Sequence, residues 1–260
     1  MYFVSCFFDM CYNSFVKKFW KNLNSLFLDL LYPEYRCIFC GNEAKDNYLN
    51  VCDRCKNKVT FLKEEGVCLK CGMPLASDFD KVCASCKKYE YAFDLARAVA
   101  AYDGDVVSAV HSFKYSGQKF KAKYMARMMA SKFLELNLKV DYITFVPMFE
   151  DKKKERGFNQ AELLAENFAK IVDLPLISVL DKICETESQT TFDAKVRMKN
   201  LQGSIALNKE IAKKIKGANV LIIDDVFTTG ATLNECSKLL KKAKVKNVYC
   251  ITIAKVILDE

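Results

Sequence analysis

Apolar runs and helical periodicities alternate along the last two thirds of the chain. The runs are short and bounded by polar residues, as is typical of buried strands. Between them lie stretches with helical spacing of apolar side chains, of which 159–172 is the clearest. Alternating strands and helices favour an α/β fold, a parallel sheet with helices on both faces. The pattern begins at about residue 96, and the predicted strands lie within 141–147, 176–180, 219–223 and 247–253.

Residues 37–88 follow a different pattern, in which CxxC pairs repeat with an offset of 31 positions. A CxxC hairpin places two thiolates on one side of a tight turn, and two such hairpins supply the four ligands of a closed tetrahedral zinc site. The spacing therefore predicts two zinc ribbons with two structural zinc ions. Pairing between the repeats, a single zinc ion and a redox or iron–sulfur role are the alternatives. The predicted ligands are Cys37, Cys40, Cys52 and Cys55, and Cys68, Cys71, Cys83 and Cys86.

The first 36 residues are rich in aromatic side chains, with lysines beside aromatic residues between positions 15 and 21. This pattern predicts an amphipathic helix that docks on the protein's own core. A membrane-surface or partner contact by residues 1–25 is the alternative. Asp9 interrupts the apolar run and no small-residue cleavage site follows, which argues against a signal peptide. The apolar run is also too short to span a bilayer. The predicted organisation is an N-terminal segment (1–36), a double ribbon (37–90) and an α/β domain (91–260).

Composition indicates a globular protein in a reducing environment, but it does not identify the ligand or partner. The 260 residues are 51% hydrophobic, enough for a sizeable core, and the net charge of +8 is mild. Such a charge is compatible with a nucleic acid or a phosphate-rich ligand and demands neither. Eight of the thirteen cysteines lie in CxxC pairs, which indicates metal binding in a reducing cytoplasm. The five others, Cys6, Cys11, Cys184, Cys236 and Cys250, are predicted to be small buried residues.

The run 219–223 leads directly into Asp224 and Asp225, then into the turn "VFTTGAT" and a helical pattern. Ligands of an open parallel sheet bind beyond the carboxyl ends of its strands. Backbone N–H groups, hydroxyls and a helix N-terminus favour an anion, and paired carboxylates suit sugar hydroxyls. The stretch therefore predicts a ribose 5-phosphate site. The anion ligands would be Thr228, Thr229, Gly230 and Thr232.

Two other interpretations of this stretch are weaker. A Walker B strand also ends in Asp, but it needs a GxxxxGK[ST] partner, and none of the nine glycines is followed by Lys and a hydroxyl residue. The acids could also merely cap a helix, although caps rarely come as this whole set.

At this point the sequence resembles a known family. "DDVFTTGAT" after an apolar strand looks like the phosphoribosyl pyrophosphate (PRPP) motif of type I phosphoribosyltransferases. The motifs together resemble the ComF family, whose members are associated with DNA uptake in natural competence. They are "LDLLYPEYRCIFCG", "HSFKYSGQ", "ERGFNQAELLA", "QTTFDAKVRMKNLQGSI" and "VLIIDDVFTTGATL".

The resemblance implies roles for individual residues. Asp224 and Asp225 would bind the ribose hydroxyls, the threonine-rich turn the 5-phosphate, and Mg²⁺ would neutralise the pyrophosphate. The loop "MFEDKKKERGFNQ" would present its basic residues to the pyrophosphate, with a solvated lysine run as the alternative. These residues are Lys152, Lys153, Lys154 and Arg156. In the segment "CETESQTTFDAKVRMKNLQG", predicted to be a mobile loop, Gln189, Arg197 and Asn200 match the family pattern. Arg197 is the candidate for stabilising charge on pyrophosphate.

Nothing in the sequence identifies the acceptor. A hood over the site is expected around 102–120, where His111 is a candidate base contact or an ordinary packed or solvated histidine. Lys114 and Gly117 match the family and are expected near the site. Two functions from different classes follow: a phosphoribosyltransferase with an unknown acceptor, or a catalytically inactive protein that handles single-stranded DNA and keeps the pocket. Candidate partners are PRPP or ribose 5-phosphate, single-stranded DNA and proteins of the DNA-uptake machinery.

Overall fold

The structure is a computed structural model that describes residues 36–44, 48–77, 79–185 and 200–257. The predicted N-terminal helix therefore lies outside the described residues, as do Gln189 and Arg197. Among the helices of the described ranges, none combines the length and the apolar character that crossing a membrane would require.

Six strands and eight helices are described within those ranges. The strands are β1 (Leu95–Ala101), β2 (Tyr142–Phe145), β3 (Leu180–Lys182), β4 (Ile205–Leu207), β5 (Asn219–Phe227) and β6 (Asn247–Lys255). The helices are α1 (Asp53–Lys58), α2 (Ala84–Lys88), α3 (Gly104–Tyr115), α4 (Lys121–Leu136), α5 (Glu150–Arg156), α6 (Gln160–Val172), α7 (Lys209–Lys214) and α8 (Ala231–Lys242).

The core is a four-stranded sheet in the order β1-β6-β5-β2, in which every neighbouring pair is parallel. The predicted parallel sheet is confirmed. Strand β5 is buried along most of its length because helices cover both of its faces, which explains its continuous apolar run. Its side chains alternate, with Leu221 and Ile223 in one core cluster and Val220 and Ile222 in the other.

Each face of the sheet carries its own helices and its own zinc ribbon. Helices α3, α4 and α6 pack on one face together with Cys37 and Cys55 of the first ribbon. Helices α7 and α8 pack on the opposite face together with Cys68 and Cys83 of the second ribbon. The two repeats are therefore similar in sequence but contact different parts of the α/β domain.

Two predictions about local structure were wrong. The run 176–180 was expected in the parallel sheet, but it meets edge strand β2 only at one bridge, between Ile143 and Leu176. The chain then turns away, and β3 pairs antiparallel with β4 in a separate two-stranded sheet. The loop expected around 150–156 contains helix α5, whose acidic first turn and basic last turn complement the helix dipole.

A buried cluster of charges joins the segment between the ribbons to the sheet. Arg97 on β1 donates through Nε to a carboxylate oxygen of Glu64 at 2.5 Å, and Lys132 Nζ on α4 lies 3.2 Å from the other oxygen. The Arg97 and Lys132 side chains are only 7% and 8% exposed, and Glu64 is 24% exposed. Glu64 thus compensates two cations that are removed from water.

We expect Glu64→Ala to lower the free energy of unfolding by about 2 kcal/mol. Breaking a fully buried pair costs about 3–5 kcal/mol, and the partial exposure of Glu64 reduces that cost. Urea unfolding of both proteins measures the difference. The matched control is Glu65→Ala, an exposed neighbour whose loss should change stability by less than about 0.5 kcal/mol. Equal effects of the two substitutions would contradict the role of Glu64.

Candidate functional site

The two carboxylates of β5 lie at the carboxyl edge of the sheet. Strand β2 ends at Phe145, opposite Ile223, so Asp224 and Asp225 lie just beyond the end of this neighbour. Asp225 is buried, and its Oδ2 lies 2.6 Å from Lys114 Nζ on α3. Asp224 Oδ1 accepts a hydrogen bond from the backbone N–H of Asp225 at 2.9 Å. Lys114 is therefore at the site, where its motif had placed it.

The charges of this cluster affect one another strongly. Burial by itself lowers the pKa of Lys114, but the charges of Asp225 and Asp224 outweigh it, so the pKa is raised and the lysine stays cationic. Burial first, and the charge of Asp225 second, raise the pKa of Asp224 well above its ordinary value. Ionised Asp224 is thus under-compensated by the protein, which favours a hydroxyl donor or a cation beside it.

The turn after β5 has a conformation that only glycine adopts easily. Gly230 has a φ of +76°, and a Cβ built on it would lie 2.6 Å from Cζ of Phe227. Helix α8 begins at the next residue and runs for 12 residues, so its unpaired N–H groups and dipole face the turn. The backbone N–H of Ala231 lies 3.4 Å from Thr229 Oγ1. Thr228 and Thr232 are half-buried on either side.

Contacts that the sequence did not predict hold this turn in place. Tyr91, which follows the second ribbon, donates from its hydroxyl to the backbone carbonyl of Thr229 at 2.8 Å. The backbone N–H of Ala92 donates to Asn234 Oδ1 on α8 at 2.7 Å. Burial raises the pKa of Tyr91, so its hydroxyl stays protonated and remains a donor. No motif marks these residues, and the only signal is the aromatic run "YEYAF" between ribbon and strand.

A cavity of about 150 Å³ opens beside Asp224. Lys152 and Lys182 both line it. Asn159, also in the wall, caps helix α6 by accepting from the N–H of Ala161 at 3.0 Å. Burial lowers the pKa of Lys182, which sequence reasoning had missed. Two lysines beside a carboxylate suit an anionic group attached to the ligand that Asp224 binds.

The predicted basic residues take different positions. Lys154 is exposed, does not line this cavity and pairs with Asp151 at 3.1 Å. Arg156 lies over the ring of Tyr115, 4.6 Å from its centroid, and donates to Gln160 Oε1 at 2.7 Å. His111 is exposed, and its ring centroid is 4.8 Å from that of Tyr115. Helix α5 thus places Lys152 in the wall of the cavity and leaves Lys154 exposed to solvent.

The eight paired cysteines form two clusters, each made within one repeat. In each cluster the four sulfur atoms lie within 4.8 Å of one another. Cys40 and Cys52 have sulfurs 3.6 Å apart, and so do Cys71 and Cys83. Four sulfurs around one zinc ion at about 2.3 Å are separated by about 3.8 Å, so the spacing fits. Each cluster supplies a complete set of thiolates, as expected of structural zinc, and pairing between the repeats is excluded.

The remaining cysteines divide into two groups. Cys236 and Cys250 are buried, as predicted. Cys184 is exposed, so the prediction was wrong there, because β3 belongs to the small two-stranded sheet rather than to the core. Cys6 and Cys11 lie outside the described residues.

Comparisons with known proteins agree with this architecture. Residues 27–87 match the double zinc ribbon domain model, and residues 156–258 match the phosphoribosyl transferase domain model. Competence protein F of Haemophilus influenzae is 29% identical over 230 residues, which cover 85% of this chain and 97% of that protein. Competence protein ComFC of Bacillus subtilis is 27% identical, covering 78% and 83%. The DNA utilization protein YhgH of Salmonella typhimurium is 25% identical, covering 83% and 95%.

Similarity to solved structures is more distant. Adenine phosphoribosyltransferase from Saccharomyces cerevisiae is 16% identical, with 55% of this chain and 72% of that chain covered and a TM-score of 0.33. A glutamine PRPP amidotransferase from B. subtilis is 19% identical, with a TM-score of 0.35. The match covers 50% of this chain but only 25% of the amidotransferase. At these TM-scores the likeness adds nothing to the assignment.

The class of protein follows from the two domain models and the two cysteine clusters: a double zinc ribbon joined to a phosphoribosyltransferase-like α/β domain. The resemblance to the ComF family is confirmed by relatives that match most of the chain, among them two competence proteins that are 29% and 27% identical to it.

We expect elemental analysis of the purified protein to find about two zinc ions per chain. Cys40→Ser should remove about one of them, because each cluster binds its metal separately. Cys184→Ser, at an exposed cysteine outside both clusters, should leave the zinc content unchanged. A well-folded, metal-free protein would contradict the ribbons, since folding of such modules depends on the metal.

Proposed function

We propose that the protein binds PRPP or ribose 5-phosphate at residues 224–232 and transfers the phosphoribosyl group to an acceptor, in a role linked to DNA uptake. The observation that carries the proposal is the pair Asp224 and Asp225 beside a glycine turn that opens a helix. Carboxylates alone would repel a phosphate, so the pairing of acids with an anion-binding turn favours a ligand with both hydroxyls and phosphate. The names of the relatives, which refer to competence and DNA utilization, support the cellular role.

Each end of the ligand has matching groups in this proposal. The ribose 2- and 3-hydroxyls donate to Asp224 and Asp225. The backbone N–H groups of the turn, with the hydroxyls of Thr228 and Thr232, donate to the 5-phosphate. Gly230 allows the turn its left-handed backbone conformation, because a Cβ at this position would collide with the ring of Phe227.

The leaving group would occupy the cavity beside Asp224. Lys152 and Lys182 line that cavity and would attract pyrophosphate. Carboxylate oxygens are ligands that Mg²⁺ prefers, so Asp224 and Asp225 fit the ion, which when bound would neutralise the pyrophosphate. In the transfer, the bond from ribose C1 to the pyrophosphate oxygen breaks and a bond from C1 to the acceptor forms. Arg197 and Gln189, proposed from their motif, would assist as pyrophosphate ligands.

We expect titration calorimetry to detect binding of PRPP with Mg²⁺, and of ribose 5-phosphate, to the wild-type protein. Asp225→Asn should weaken both by at least about tenfold, because a hydrogen bond to a charged group contributes about 1.5–3 kcal/mol. The matched control is Asp141→Asn. Asp141 bonds the N–H of Asn219 at the opposite end of β5, so its replacement should leave affinity unchanged.

The absence of binding heat for either ligand with the zinc-loaded wild type would contradict the proposed function. Equal losses in Asp225→Asn and Asp141→Asn would also count against it, because they would indicate a general effect on the sheet and not a contact with ribose.

A second candidate function, single-stranded DNA handling by a catalytically inactive protein, is favoured by one surface. Lys123 and Arg127 are four residues apart on α4 and therefore lie along one side of it, and Lys119 lies in the turn before this helix. Arg127 lies over the ring of Tyr48, 4.3 Å from its centroid, and Tyr48 and Tyr115 are 59% and 63% exposed. Basic side chains interleaved with exposed aromatic rings are typical of surfaces that bind single strands.

The lysine run of α5 is a weaker candidate for DNA because each of its members has an acidic neighbour. Lys152 Nζ lies 3.2 Å from Glu185, and Lys153 Nζ lies 2.7 Å from Glu162. Lys154 pairs with Asp151. Their charges are therefore already partly compensated, whereas Arg127 contacts rings and a backbone carbonyl.

We expect binding of a fluorescent single-stranded oligonucleotide, measured by anisotropy across a salt series, to depend on this surface. Replacing Lys119 and Arg127 by Ser should reduce the salt slope by about 1.4 units if both touch phosphate, at about 0.7 unit per contact. Lys214 and Lys216, exposed on the opposite face of the sheet, provide the matched control when replaced by Ser. An unchanged salt slope in the variant that lacks Lys119 and Arg127 would show that DNA binds at another surface.

A further inference from the structure

The second zinc ribbon and the proposed phosphate turn belong to one packed core. Cys68, Cys71 and Cys83 lie in the same cluster of buried side chains as Tyr91 and Phe227. The first ribbon packs in the other cluster, on the opposite face of the sheet. Among the described residues of the two ribbons, therefore, only those of the second share a core with the turn.

Tyr91 makes the direct connection between the ribbon and the turn. Its hydroxyl donates to the carbonyl of Thr229, and its ring stacks on Phe93 with centroids 5.0 Å apart. In a planar trans peptide the carbonyl and the following N–H point in opposite directions. With the Thr229 carbonyl directed at Tyr91, the N–H of Gly230 points away from the ribbon. The hydrogen bond thus fixes the orientation of the peptide that an anion would contact.

Three further contacts make the connection stiff. The ring of Phe93 also packs edge-on against Phe227, with centroids 6.1 Å apart, and Phe227 ends the strand that leads into the turn. The almost fully buried Lys255 lies over the ring of Phe227, with its Nζ 3.4 Å from the ring centroid. A Cβ on Gly230 would come within 3.2 Å of the Tyr91 ring, so the turn is in close contact with it. Rotation of the Thr229 peptide would therefore disturb several packed groups at once.

We propose that Tyr91 is a positioning residue through which the second zinc ribbon holds the 228–230 turn in its anion-binding conformation. Loss of order in the second ribbon would release the turn, whereas loss of order in the first would not. The nature of the anion rests on the proposed function, but the ordering of the turn does not.

Hydrogen exchange of the ligand-free, zinc-loaded full chain tests the ordering directly. Tyr91→Phe keeps the ring and removes only the hydroxyl. We expect exchange in a peptide covering 228–234 to become about fivefold faster, the factor for the loss of one neutral hydrogen bond. Tyr89→Phe, in the same segment and half-buried, is the matched control and should leave this exchange unchanged. Wild-type exchange rates in Tyr91→Phe would overturn the proposal.

A pair of zinc-ligand variants tests the asymmetry between the ribbons. Cys86→Ser should accelerate exchange in 228–234, and Cys52→Ser should not, with each variant's zinc content measured and exchange in β6 serving as the internal standard for the sheet. Equal acceleration of the turn in both variants, or none in Cys86→Ser, would overturn the proposal.

Calorimetry with inorganic phosphate and ribose 5-phosphate separates this inference from the proposed function. If the turn binds the 5-phosphate, Tyr91→Phe should weaken ribose 5-phosphate about fivefold, and Tyr89→Phe should not. Absence of binding to the wild type would defeat the proposed function while the exchange result still supports the role of Tyr91. Unchanged affinity in Tyr91→Phe, beside measurable wild-type binding, would overturn the role of Tyr91 in ligand binding.

Discussion

The outer edge of strand β1 is the constraint on which the arrangement of the whole protein depends. β6 satisfies one side of β1, and an uncovered second side would leave a row of unpaired backbone groups. The cysteine-rich module covers it: Leu62 N–H donates to the Val99 carbonyl at 2.9 Å, and Ala96 N–H donates to the Lys70 carbonyl at 2.7 Å. The ribbons are thus part of the sheet's completion, and the zinc ions that hold them contribute to the order of the α/β domain.

Placement of the ribbons on opposite faces of the sheet has a consequence for the proposed ligand site. The acids of β5 are balanced by Lys114 from α3, on the face that the first ribbon shares. The anion turn is held by Tyr91 and Asn234, on the face of the second ribbon. The two halves of the proposed ligand site therefore depend on opposite sides of the sheet, and they meet only because β5 runs between them.

Features with a local cause could be predicted from the sequence, and features caused by distant packing could not. The cysteine repeat predicted the two cysteine clusters, because metal ligation requires a fixed spacing of ligands in the sequence. The apolar run at 219–223 predicted strand β5, because a strand that is buried on both faces has apolar residues at successive positions. The run at 176–180 was misassigned because its residues have strand character while its partner, β4, is too short to be recognised. The contacts of Lys182 and Tyr91 depend on tertiary packing, and a lone lysine or tyrosine carries no pattern. The motif around Lys114 predicted that this residue lies near the site, but it did not predict the 2.6 Å contact with Asp225.

The pairing of β1 with β6 also fixes the order in which the protein can fold during synthesis. Leu95 lies opposite Tyr249, so the first strand of the sheet finds its partner only after roughly 150 further residues have been made. The cysteine clusters are complete long before that, since their last ligand is Cys86. Metal capture can therefore precede closure of the sheet. The loaded ribbons are then in place to cover the outer edge of β1 while its inner edge waits for β6.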